Sequence, residues 1–79
     1  MEEKSKSDLF KQCIFELNLS YSDLRKCSPP QRIAIMFSFD IENTDETFDS
    51  EIIFQYFFKQ IDAGKNIEES LSETIKLYL

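Results

Sequence analysis

The chain has 79 residues, with fifteen acids against nine bases and a net charge of −6. That length allows one small domain, burying about 60–65% of its unfolded surface, and 42% hydrophobic residues suit a globule rather than a disordered tail. The lack of histidine removes the usual base near neutral pH and every zinc site that needs imidazole, and no apolar run approaches the roughly 18 residues of a membrane span.

Residues 1–6 read as a frayed, solvated start, followed by one helical domain over 7–79. Met1-Glu2-Glu3-Lys4 lacks the apolar stretch of a secretory leader, which points to a cytoplasmic protein without membrane association. In that compartment Cys13 and Cys27 are expected as reduced, buried or half-buried thiols rather than a disulfide. Neither has a histidine to activate it as a nucleophile.

Leu9, Phe10, Cys13, Ile14 and Leu17 fall within roughly 140° of one face at 100° per residue, which predicts a first helix over about 7–18. Ser5 or Ser7 can cap it, and Asp8 suits its positive start. Asn18-Leu19-Ser20 matches a glycosylation sequon by letter, but in a chain without a leader it is a polar helix end. Ser20 and Asp23 are spaced as a capping box ahead of a short helical turn, Tyr21 to Cys27, with Leu24 inward. Ser28-Pro29-Pro30-Gln31 places serine at a cap, proline in the first turn and glutamine at the position that reaches back. It opens a third helix running to about Asp40.

Within that third segment the pattern conflicts with itself. Ile33, Ile35, Phe37, Phe39 and Ile41 alternate strictly, as one face of a strand would. Cys13, Phe15, Leu17, Leu19 and Tyr21 alternate too. The competing architecture is therefore α+β, with a hairpin of about 13–21 and 32–42 packed on two C-terminal helices. The Ser-Pro-Pro-Gln start, the lack of valine and the weakness of a two-stranded sheet favour helix. As a helix the segment is apolar nearly all round, which predicts a central, buried position.

Asp49 or Ser50 opens a fourth helix, Glu51 to Asp62. Gly64, the only glycine, sits where positive φ is wanted after a helix end. Asn66 and Glu69 form a further capping pair, and the last helix runs from Ile67 to the chain end with Ile67, Leu71, Ile75 and Tyr78 as its stripe. The expected fold is thus all-α, a compact bundle of four to five short helices.

Three constellations stand out. Residues 40–51 carry six acids and no base: Asp40, Glu42, Asp45, Glu46, Asp49 and Glu51. Residues 1–32 sum to +1 and residues 33–79 to −7. A field of that sign repels nucleic-acid phosphate and attracts a basic protein surface. The same stretch aligns with a calcium loop at Asp40, Glu42, Thr44 and Glu51, but Asp45 stands where the turn needs glycine, so no metal is expected. The fourth helix is the third anomaly. Ile52, Ile53, Phe54, Tyr56, Phe57, Phe58 and Ile61 span an apolar arc of roughly 240°, more than one core face uses. Either its neighbours enclose it, or Ile52, Phe54, Tyr56 and Phe58 form an interface.

There is no glycine-rich phosphate loop, no Ser–His pair and no metal triad, so neither an enzyme nor a cofactor is expected. In size and charge the chain resembles small acidic proteins such as phage-encoded inhibitors and bacteriocin immunity proteins, a likeness that no motif carries. Two functions follow as expectations. One is a non-enzymatic inhibitor or regulator whose acidic segment engages a partner with a basic, nucleic-acid-handling surface. The other is a small structural or adaptor subunit that homodimerises through the aromatic helix face.

Overall fold

The computed structural model describes residues 5–42 and 49–79; of Glu42 only the backbone is described. Among these described residues five helices follow in order: α1 Lys6–Glu16, α2 Tyr21–Lys26, α3 Pro29–Glu42, α4 Ser50–Asp62 and α5 Ile67–Tyr78. Among the described residues there is no strand, so the fold is the all-α bundle and the hairpin alternative falls away. None of these helices is long and apolar enough to cross a membrane.

Local chemistry sets the helix ends. Ser5 Oγ accepts from the Asp8 N–H at 3.2 Å. Ser20 and Asp23 close a full capping box, at 3.1 and 3.0 Å. Gln31 reaches back to accept from the Ser28 N–H at 2.7 Å. Asp49 caps α4 and Asn66 caps α5. Each satisfies a donor that the first helical turn leaves open.

The helix stops are equally local. Asn18 takes φ +53°, a left-handed conformation that asparagine tolerates, so the sequon-like triplet is indeed a helix end. After α4, Gly64 takes φ +98°. Its N–H donates to Ile61 O at 3.1 Å, and the Lys65 N–H donates to Gln60 O at 3.2 Å. That pair of bonds is a Schellman stop, and it turns the chain into α5.

The centre of the molecule is α4, which packs against α2, α3 and α5. Ile53, Phe54, Phe57, Phe58 and Ile61 are all buried, and the enclosing neighbours account for most of its wide apolar arc. Phe10 from α1 is fully buried and meets three rings edge-on: Phe39 at 6.1 Å, Phe54 at 5.1 Å and Phe57 at 5.7 Å. Such pairs contribute about 0.5–1.5 kcal/mol each beyond burial. Cys13 is a buried thiol and Cys27 a half-buried one.

Helix α3 is not the central helix that its composition suggests. Only Ile35 and Phe39 enter the core, while Ile33, Phe37 and Ile41 are exposed. The cause is geometric. Alternation has a period of two, but a helix advances 100° per residue. Ile35 and Phe39 therefore fall on one stripe, and Ile33, Phe37 and Ile41 on another, roughly opposite.

The stripe of α5 is the expected one at Ile67, Leu71 and Ile75, which pack on the core, and differs at its end. Leu71 is buried, but Tyr78 is 42% exposed, and the fully buried neighbours are Ser70 and Thr74. The Thr74 hydroxyl donates to Ser70 O at 2.7 Å, so burial leaves it no unmet bond.

Candidate functional site

Helices α3 and α4 run in opposite senses: Arg32 near the start of α3 pairs with Asp62 at the end of α4, and Phe39 late in α3 meets Phe54 early in α4. Between them lies an open groove of about 610 Å³. Met36, Ile33 and Phe37 wall it on the α3 side. Phe54 and Phe58 form its floor, at 3% and 4% exposure. Ile33 and Phe37 stand on its edge at 50% and 56% exposure, and Ile41 continues their row one turn further at 78%. A contiguous row of large apolar side chains left in water beside a groove is a mark of an interaction surface.

The two ends of the groove differ in charge. At one end Arg32 forms a two-pronged ion pair with Asp62, Nη1 to Oδ2 at 2.8 Å and Nη2 to Oδ1 at 2.9 Å. These hydrogen bonds hold the Asp62 carboxyl below its ordinary range and raise the Arg32 guanidinium further. Arg32 also lies 4.6 Å over the Phe58 ring and donates to Cys27 O. The pair is therefore internally neutralised, and exposed Lys59 adds a positive charge beside it. At the other end, where α3 finishes and α4 begins, Glu51 lines the groove, with Asp49 two residues before it in the chain and Asp40 in the last turns of α3.

The acids predicted from sequence divide accordingly. Asp40 is half-buried in the last turns of α3. Asp49 is the α4 cap, accepting from Glu51 N and Ile52 N at 3.1 and 3.4 Å. Glu51 is exposed in the first turn of α4 and borders the groove. The Glu42 side chain and all of Asp45 and Glu46 lie outside the described residues, as does most of the calcium-like register. Among the described residues no cluster of three His, Cys, Asp or Glu side chains is placed to hold a metal ion.

The four residues expected to form an aromatic interface do not share one exposed face. Phe54 and Phe58 are buried groove floor, Ile52 is 46% exposed, and half-buried Tyr56 stacks edge-on against Tyr78 at 5.5 Å. The reason is the central place of α4. Neighbouring helices take up its apolar arc from both sides and leave only Ile52 plainly exposed.

Sequence reasoning missed the Ile33–Phe37–Ile41 row. Its signal was the strict alternation itself, which becomes a second apolar stripe once wound into a helix. Comparison with protein-family models, curated proteins and solved structures returned no match to the chain.

Proposed function

We propose that this chain is a non-enzymatic, protein-binding inhibitor or regulator that docks through the α3–α4 groove. The carrying observation is the exposed row Ile33, Phe37 and Ile41 beside a groove floored by Phe54 and Phe58. Aromatic and aliphatic anchors in such a setting supply most of the energy of a protein interface. The acidic stretch Asp40, Glu42, Asp45, Glu46, Asp49 and Glu51 supplies steering toward a basic partner and discourages nucleic acid. The likeness in size and charge to phage inhibitors and immunity proteins directs the search for that partner to nucleic-acid-handling complexes in phage or host-defence settings.

The test is photocrosslinking in host lysate, with benzoylphenylalanine in place of Phe37 or, as control, of Phe15. The two side chains are equally exposed, at 56% and 57%, but Phe15 does not line the groove. The expected result is one protein adduct from position 37 only, formed more slowly as salt rises. Equal adducts from both positions, or none, would overturn the proposal. An adduct of twice the chain's own mass would replace the partner with a second copy.

A further inference from the structure

We infer that the occupant of the α3–α4 groove is a single amphipathic helix of the partner, with its basic residues over the end that Glu51 lines. This rests on the protein-binding function proposed above and names the kind of segment bound.

The backbone decides first. Both walls of the groove are helices, whose N–H and C=O groups are spent on their own i to i−4 bonds. They present no sheet edge, so an extended segment would lay an unpaired backbone against apolar side chains. Polyproline segments dock in aromatic grooves, but the aromatic residues lining this one are phenylalanines, whose rings carry no donor for a ligand carbonyl. A helix carries its backbone bonds internally and offers only side chains.

Length agrees. The lining residues run from Pro29 to Phe37 on α3 and from Glu51 to Asp62 on α4. At about 1.5 Å per residue these walls are roughly 12 and 16 Å long, which is two to three turns of a bound helix. Apolar side chains at i, i+4 and i+7 would meet Ile33, Met36 and Phe37 on one side and Phe54 and Phe58 below. A small organic ligand fits less well. Such sites need polar groups converging on the ligand, and here two of the polar lining side chains, Arg32 and Asp62, are bonded to each other.

Charge sets the polarity of the occupant. One end of the groove has Glu51 in its lining, with Asp49 at the cap of α4 and Asp40 in the last turns of α3 close by in the chain; the other has Lys59 beside a neutralised pair. Lysines or arginines of the bound helix belong at the first end and are unfavourable at the second.

The experiment titrates the full chain into fluorescein-labelled, stapled helices of about twelve residues with leucine at i, i+4 and i+7. Three versions carry lysines in the first turn, lysines in the last turn, or glutamates in both. A fourth is broken by two prolines. One lysine version is expected to bind at least about tenfold tighter than the glutamate and proline versions. Phe37→Glu should weaken it by about tenfold or more, and Phe15→Glu should leave it unchanged. Binding by the proline-broken peptide equal to that of the intact helix, or equal binding of lysine and glutamate versions, would overturn the inference. So would sedimentation showing that a second copy covers the groove and leaves when Phe37 becomes glutamate. If no helix binds while position 37 still crosslinks a partner, the helix falls and protein binding stands. If both fail, both fall.

Discussion

Arg32 and Asp62 are thirty residues apart in the chain and meet as a two-pronged ion pair that closes one end of the α3–α4 groove. Their contributions to stability are unequal. The Asp62 side chain is half exposed, so the pair alone is worth under about 1 kcal/mol. Arg32 also bonds Cys27 O at 3.2 Å and covers the Phe58 ring. Arg32→Ala should therefore cost about 1–3 kcal/mol, and Asp62→Asn less than about 1 kcal/mol. Arg32→Lys should recover little, because an ammonium cannot reproduce the planar fork. Urea denaturation followed by circular dichroism measures all three; equal losses for Arg32→Ala and Asp62→Asn would contradict this division.

Acid should weaken the fold through two carboxylates. Hydrogen bonds from Arg32 hold Asp62 below its ordinary value of 3.8, and the backbone N–H of Ser20, helped by its hydroxyl, does the same for Asp23. A lowered folded-state pKa means stability that is present above the unfolded value and lost as pH falls through the folded one. The loss should therefore begin below about pH 4. Asp62→Asn and Asp23→Asn should flatten the decline in midpoint denaturant concentration between about pH 4 and 2. With no histidine in the chain, the midpoint should stay level from about pH 6 to 7.5.

Phe10 is the ring on which α1, α3 and α4 converge. Phe10→Ala should cost about 3–5 kcal/mol, much of the total for a domain of this size. The expected result is a broad, non-cooperative melt. Phe10→Leu keeps most of the volume but loses the edge-to-face pairs, and should stay folded with a loss of about 1–2 kcal/mol.

Gly64 separates a conformational cost from a steric one. A Cβ added there would meet nothing within 4 Å, yet the backbone sits at φ +98°. Gly64→Ala should cost about 1 kcal/mol through strain alone, and Gly64→Asn noticeably less. Thermal melts of the two variants check this. An alanine variant as stable as the parent would mean that α4 can end without the left-handed turn.

Phe37 should matter for binding and hardly at all for folding. Its exposure is 56%, so Phe37→Glu should change unfolding free energy by less than about 0.5 kcal/mol. The same substitution should abolish co-purification of the partner that position 37 crosslinks. A large stability loss would place Phe37 in the core and remove the basis for the docking groove.

Helix ends were largely legible in the chain because caps are made by residues three or four apart. Ser20 with Asp23, Ser28 with Gln31, Asn66 with Glu69 and the left-handed Gly64 follow from spacing and backbone preference. With the helix ends came the all-α class. Which apolar stripe faces inward was not legible, since Ile33–Phe37–Ile41 and Ile35–Phe39 are chemically alike. The choice between them depends on Phe10 and Phe54, which pack on Phe39 from other helices and make one stripe core and the other surface. The same cause buries Phe54 and Phe58 and raises Ser70 and Thr74 to core residues. Caps are local hydrogen bonds, whereas burial is a competition among all helices for a limited interior, and only the packed chain settles it.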